Sequence, residues 1–337
     1  MKRWSTKDME ILRPPADGRP GDGILTFTDR YSVYDFGVMP DEIPGKGAAS
    51  CRMAVHSFGL LAEAGIRTHF VEQLSERSLR IRLLDIDFEG RSAATGPGGM
   101  IPLQVVYRNA LPRESSVHLR LAAGQLDPAL VPPFTAAGAP WLVSPMVEFT
   151  SKFEETDRFV TAEEAAVVGR VGAADLAGIA ELTRTVAGVL TAHAGRIGLR
   201  LADGKAEYGF DEDRRPLLID HVGTPDENRF YFGGTPVCKE LLRLLHPGLR
   251  DLVQELVRNG TPRATWPRPE PLGGELVGAT AEVYRALAAL WTADPADAVR
   301  QDKHLATAVK EFHAALPVPE LLDRIGLEQA VAPQQTG

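Results

Sequence analysis

The chain is 337 residues long, 44% hydrophobic and 24% charged, with a net charge of −8 and a pI near 5.6. This is an ordinary globular composition with room for two lobes, and its acidic balance excludes a general nucleic-acid binder, which needs a basic footprint. No apolar run approaches the roughly 20 residues of a membrane span, MKRWSTKDME holds no signal-peptide core, and Cys51 and Cys238 lack disulfide-framework or zinc-site spacing, so a cytoplasmic protein with free thiols is expected.

In chain order, Gly23 to Thr28 (GILTFT) predicts a strand ending at an Asp29-Arg30 turn. Ala48 to Ala64 carries Met53, Val55, Phe58, Leu60 and Leu61 at helical spacing and stops at Gly65, a C′ glycine. Thr68 to Gln73 and Leu79 to Phe88 predict strands, with a turn at Glu89-Gly90. Ile101 to Tyr107 predicts a buried strand. Ala122 to Ala139, rich in Pro, Gly and Ala, reads as irregular. Thr161 with Glu164 predicts a capping box opening a helix. A longer helix follows, with Leu176, Ile179, Leu182, Val186 and Leu190 on one face and an exposed His193 in its last turn. Beyond a hairpin segment at Leu201 to Phe230, helices are expected over Val237 to Leu244, Gly248 to Arg258, Gly278 to Trp291 and Val299 to Leu316, then a disordered tail from Ala330.

The hairpin segment holds the densest chemistry. Lys205, Ala206, Glu207 and Tyr208 alternate as a half-buried strand does, and Leu217 to Ile219 forms a second apolar run across an acidic turn. A turn centred between Asp213 and Arg214 sets Glu207 opposite Asp220, on one face with Cβ atoms roughly 5 Å apart. Two carboxylates that close repel unless a cation or proton lies between them, and oxygen-only ligation suits Mg²⁺ beside nucleotide phosphates. The residues alone leave a second reading open, a solvated acidic turn whose charges never meet.

Three more polar clusters stand out. Thr28 to Gly47 (TDRYSVYDFGVMPDEIPGKG) ends in Pro44-Gly45-Lys46-Gly47 ahead of a helix, either a phosphate-binding turn or a plain tight turn. It is not a Walker A loop, and no GxGxxG occurs. Arg108-Asn109 follows the Ile101 strand, with Ser115, Ser116 and Arg120 beyond, suiting a phosphate monoester or an ordinary surface loop. Asp226, Asn228 and Arg229 make the fourth set.

In this order the clusters resemble one family, the phosphoribosylaminoimidazole-succinocarboxamide (SAICAR) synthetases. The family motif FTDRxSxFDxxxPDxIPGKG is matched by Phe27 to Gly47, and IPLEVVxRN by Ile101 to Asn109. DxKxEFG is matched by Asp203, Lys205, Glu207 and Gly209, and DExxTPDxxRF by Asp220 to Phe230. The likeness runs from about Ser5 to about Trp291.

The resemblance implies an α+β fold of two lobes with ATP in the cleft. Residues 1–106 would be an ATP-binding lobe built on an antiparallel sheet, 107–325 a larger substrate and metal lobe with a helical end, and 326–337 a flexible tail. It implies a ligase that uses Mg²⁺ and ATP to phosphorylate the carboxylate of carboxyaminoimidazole ribotide and couples it to the amine of L-aspartate. Glu207 and Asp220 would hold Mg²⁺, and Lys7 would contact the nucleotide. Lys205, Asp35 and Lys46 would be catalytic. Arg108, Ser116 and Arg229 would hold the ribotide phosphate, with Ser32, Gly47 and Asp226 also at the substrates. The expected partners are these small molecules and further copies of the chain, not nucleic acid or a membrane.

Several positions depart from the family pattern. Only Lys7 remains of the usual N-terminal Gly-Lys-x-Lys motif, Gln104 and His221 stand where the family has glutamates, and Ser115 replaces a glycine. The loop after Arg108 is longer than the common bacterial form. A neutral Gln and a titratable His alter charge and hydrogen bonding near the substrates. These changes motivate two alternatives: a specialised-metabolism paralogue acting on a related ribotide, as in C-nucleoside antibiotic synthesis, and a small-molecule kinase.

Overall fold

The computed structural model describes residues 2–88, 92, 94–113, 115–154 and 158–316, with the side chain of Asp35 left out. The Glu89-Gly90 turn and the tail expected from Ala330 lie outside the described residues.

The first sheet is built from β1 (Lys2–Arg3), β2 (Lys7–Arg13), β3 (Gly21–Phe27), β6 (Phe70–Gln73) and β7 (Ser78–Leu83). Its order is β1-β2-β3-β7-β6, antiparallel at every pairing. A two-stranded ribbon, β4 (Arg30–Ser32) with β5 (Val38–Glu42), precedes α1 (Lys46–Glu63). The GILTFT run supplies β3, which alternates buried and half-buried residues. α1 starts two residues before the predicted point and ends before Gly65, which takes φ 74°.

The second sheet contains β8 (Met100–Ala110), β9 (Trp141–Ser151), β10 (Phe159–Val160), β11 (Arg200–Phe210), β12 (Pro216–Ile219), β13 (Asn228–Phe232) and β14 (Thr235–Pro236). Its order is β10-β9-β8-β11-β13-β14, with β12 also on β11. β8 is buried along nearly its whole length, as its apolar run requires, and it runs unbroken through residue 106, the expected boundary between lobes. Between these strands lie α2 (Ser116–Ala122), α3 (Ala162–Gly169) and α4 (Ala173–Arg196). The Thr161–Glu164 capping box forms with both hydrogen bonds, at 2.9 and 3.2 Å. α5 (Lys239–Leu244), α6 (Leu249–Arg258), α7 (Gly274–Trp291) and α8 (Ala298–Ala315) complete the chain, within a few residues of expectation.

One large apolar core joins the first sheet, α1, α4, β11 and α7. At its centre the Trp291 indole N–H donates to Ser57 Oγ at 3.1 Å. His193 corrects the sequence reading: it is buried, not exposed. Its Nε2 lies 2.7 Å from the Trp291 carbonyl and its ring packs edge-on to Trp291. A last-turn histidine faces solvent only when no later element covers it, and α7 covers this one. Among the described residues no helix is long and apolar enough to cross a membrane.

Candidate active site

β11 sets the site. Successive side chains alternate faces, so Asp203, Lys205 and Glu207 share one. β8 lies opposite with Asp203 facing Arg108 and Glu207 facing Gln104, which places those two side chains on the same face. Along its other edge β11 pairs first with β13, to Gly204, and then with β12, from Glu207. The interval at Lys205-Ala206 is filled by the loop from Asp220 to Glu227, where the Lys205 amide donates to the Glu227 carbonyl at 3.0 Å.

The register differs by one from expectation, since Glu207 opposes Ile219. The turn closes on Asp211, whose Oδ1 accepts from the amides of Asp213 and Arg215 at 3.0 and 2.8 Å. Strict alternation would then send Asp220 to the opposite face from Glu207. Asp220 instead ends the strand at φ 61°, a left-handed conformation that breaks the alternation. Glu207 and Asp220 therefore line the same cavity. The pair was expected from a direct opposition, and it is a backbone reversal that delivers it.

That cavity has about 500 Å³ and lies where the two sheets face each other. Met9, Leu25 and Ile81 of the first sheet form an apolar wall with Met100 and Ile219. The polar floor alternates in sign. Lys7 pairs with Asp220, Lys152 with Glu207, and Lys205 with Glu227 at 3.1 Å. Burial pushes the Glu207 carboxyl up, and Lys152 and Lys205 do not fully offset it. For Asp220 burial acts the same way, but Lys7, His221 and Lys152 outweigh it and hold the group well below the usual range. The two carboxyls are thus driven apart in acidity, Glu207 upward and Asp220 downward. Burial also opposes the charge on Lys7 and Lys205, yet the surrounding acids raise both above the ordinary lysine value.

A second cavity, of about 290 Å³, opens beside the first. Arg108 and Arg229 flank Asp203, at 3.6 Å each. Arg108 also donates to Glu148 at 2.8 Å and to Ser116 Oγ at 3.3 Å, so Arg108 and Arg229 line this cavity while Ser116 touches Arg108 without lining it. Arg229 Nη1 and Asp203 Oδ2 are buried without a hydrogen-bond partner, an arrangement that costs free energy until an acceptor reaches the guanidinium and a donor reaches the carboxylate. Asp226 lines this cavity and pairs with fully buried Lys46 at 2.5 Å. Burial alone would raise the Asp226 carboxyl, but Lys46 and Lys239 hold it below its usual value.

Of the other residues singled out, Gly47, Ser32, Ser115 and His221 line neither cavity, whereas Gln104 lines the second. The Gly47 amide donates to Asp29 at 2.9 Å, and Asp29 is clamped by Arg77 at 2.8 Å through both oxygens. The N-terminus of α1 is therefore occupied by this chain's own carboxylate, which speaks against Pro44-Gly45-Lys46-Gly47 as a phosphate-binding turn. Ser32 is buried behind Lys239, accepting from its Nζ at 3.2 Å. Asp35 lies in a short 3-10 turn, Tyr34–Phe36, and its side chain is outside the description. Ser115 is the N-cap of α2, accepting from the Val117 amide at 3.4 Å. Gln104 is buried on the face shared with Glu207. His221 is fully buried, and burial holds its imidazole down at about 4, so it stays neutral near pH 7.

Sequence reasoning missed Lys152, Lys239, Glu227, Glu148, Glu240 and Arg243. The alternating run WLVSPMVEFTS, which is β9, would have found Lys152 at its end. Lys239, Glu240 and Arg243 open α5, where charges at i, i+1 and i+4 head a short apolar helix. Lys239 reaches both cavities, and burial pushes its ammonium down to about 8 from an ordinary 10.5. Between those values the unfolded chain holds more protons than the folded one, so this group makes stability rise with pH from about 8 to about 10.5. The difference in urea stability between wild type and Lys239→Met is expected to change by on the order of 3 kcal/mol across that window. A pH-independent difference would show that the lysine is not desolvated as described.

The sequence pattern of the SAICAR synthetase family matches residues 17–243. A protein of Archaeoglobus fulgidus, provisionally named phosphoribosylaminoimidazole-succinocarboxamide synthase, is 32% identical over 303 residues, 84% of this chain and 91% of its own length. The crystal structure of SAICAR synthetase from Pyrococcus horikoshii OT3 superposes with a TM-score of 0.56 at 27% identity, covering 79% of this chain and 100% of that one. A SAICAR synthetase solved in complex with ADP gives a TM-score of 0.57 at 26% identity, covering 80% of this chain and 99% of the other. With the pattern spanning most of the chain and a relative of this identity along it, the chain belongs to the SAICAR synthetase family.

Proposed function

We propose that this chain is an ATP-dependent amide ligase that activates the carboxylate of carboxyaminoimidazole ribotide and joins it to L-aspartate. The observation that carries the assignment to particular residues is that Lys205, Glu227 and Lys239 line both cavities. The larger cavity would hold the nucleotide, a reading in keeping with a relative solved in complex with ADP. The arginine-lined one would hold the ribotide phosphate, bringing the ribotide carboxylate to the junction. Two lobes follow from this reading, the first sheet covering the nucleotide and residues 107–325 carrying the substrates.

Glu207 and Asp220, two carboxylates facing one cavity, fit Mg²⁺, and the ion would supply charge neutralisation at the transferring phosphoryl group. The chain's own residues do the rest by position and charge. Lys7 and Lys205 present ammonium groups held protonated by the acids around them. Arg108, Ser116 and Arg229 offer the donors for a phosphate monoester, Arg229 Nη1 being already desolvated and unpaired. Lys46 and Asp226, locked together behind the junction, would orient the acyl-transfer region along with Ser32, Asp35 and Gly47. The apolar wall of the first sheet would keep water from an activated acyl group.

Incubation with Mg²⁺–ATP, the ribotide and aspartate is expected to yield ADP and amide together. ADP with a phosphorylated product and no amide would replace the ligase by a kinase, and turnover only with a different azole ribotide would replace it by the paralogue. Neither alternative is favoured by relatives that bear the synthase name. Arg229→Ala is expected to raise KM for the ribotide by about 10–100-fold, roughly 1.5–3 kcal/mol for a lost charged hydrogen bond, with a smaller change in kcat. An unchanged ribotide KM would remove Arg229 from the phosphate site. A homo-oligomer in the cytoplasm completes the proposal, and light scattering tests the first part.

A further inference from the structure

Glu227, the counter-charge of Lys205, lines both cavities. The loop that brings it back to β11 also carries Asp220 and His221, and the ligand-type atoms of the three lie within 4.8 Å of one another. His221 Nε2 stands 3.8 Å from Asp220 Oδ1 and 3.9 Å from Glu227 Oε1, beyond hydrogen-bond reach. This nitrogen is fully buried and has no hydrogen-bond partner. The opposite nitrogen, Nδ1, lies 2.8 Å from Thr224 Oγ1, which fixes the ring and keeps Nε2 aimed between the two carboxylates. Phe27 packs edge-on against the imidazole, with ring centroids 5.0 Å apart.

A buried nitrogen held in place by a hydroxyl, unpaired, and facing two acids is the donor set of a metal site with its outer shell already built. Glu227 meets Lys205 through Oε2, so the oxygen nearer His221, Oε1, is not the one that lysine holds. At Asp220 a dication would take the place of the Lys7 ammonium. Mg²⁺ favours an all-oxygen octahedron, whereas imidazole with carboxylates suits first-row transition ions. We propose that Asp220, His221 and Glu227 form a mixed nitrogen–oxygen site for a divalent first-row transition-metal ion such as Mn²⁺. It shares Asp220 with the Mg²⁺ pair of the ligase reading and rests on that reading nowhere else. The consequence is a site that discriminates Mn²⁺ from Mg²⁺ through one nitrogen.

The test uses Mn²⁺ alone with the full, nucleotide-free chain. Electron spin-echo spectroscopy is expected to show nitrogen modulation on the bound ion from a directly ligated imidazole. Thr224→Val, which keeps side-chain shape and removes only the hydroxyl that orients the ring, is expected to weaken Mn²⁺ binding by roughly 10–100-fold. Glu227→Gln is expected to weaken it at least as much. Bound Mn²⁺ without nitrogen modulation, no Mn²⁺ binding by the wild type, or unchanged affinity in both variants would overturn the site. Glu207→Gln separates the two readings. It should slow Mg²⁺–ATP turnover by about 10²–10³-fold and keep the nitrogen signal, and loss of that signal would tie the ion to Glu207 and overturn the three-residue site. A wild type that shows the signal but forms no amide would refute the ligase and leave this site standing.

Discussion

Glu207→Gln is expected to slow amide formation by about 10²–10³-fold with the fold intact, the magnitude typical of deleting one oriented electrostatic group from a transition-state site. The glutamine keeps the shape of the side chain but not the charge that burial has made costly and that Lys152 and Lys205 only partly offset. A dication held by Glu207 and Asp220 would then lose one of its two carboxylate ligands. Asp220→Asn should act through a second route as well, because it takes from Lys7 the acid that keeps it charged. Initial rates of ADP release at saturating Mg²⁺, read beside circular dichroism, decide the matter. Near-normal rates in both variants would remove this pair from metal binding.

Lys46→Met should cost about 3–5 kcal/mol of stability, the loss seen when one partner of a buried ion pair is removed. Lys46 and the Asp226 carboxylate are both almost completely buried, and the remaining oxygen of Asp226, Oδ1, has no hydrogen-bond partner. Without Lys46 the carboxylate keeps Lys239 as its main compensating charge. Adding Asp226→Asn to Lys46→Met should recover much of the loss, since a neutral amide is far cheaper to bury than an unpaired charge. Urea denaturation of the single and double variants measures both effects. A loss below about 1 kcal/mol in Lys46→Met would mean that the pair is solvated and exchanges with water.

Local rules read well from the chain. The Thr161–Glu164 box, the strand through Ile101 to Tyr107 and the stop of α1 before Gly65 each depend on residues a few positions apart, and each stands where expected within a few residues. The hairpin was legible as a hairpin, but its register slipped by one because Asp211 gathers two amides of the turn and closes it one residue earlier. His193 was misplaced because its cover, Trp291 of α7, is 98 residues away. Lys152 and Lys239 were missed because their partners, Glu207 and Ser32, are 55 and 207 positions distant.

The chain by itself determined the strand and helix periodicities, the caps, and four ordered motifs that single out a family. Those properties are short-ranged: backbone geometry, side-chain alternation and capping are settled within about one turn or one hairpin. Only the tertiary structure decided which lysine meets which acid. Lys7 reaches Asp220 across 213 positions because the first sheet folds against the second, and Asp220 faces Glu207 because one residue adopts a left-handed backbone. Charge pairing in a buried cavity depends on desolvation and on distances set by packing, and no periodicity along the chain encodes either.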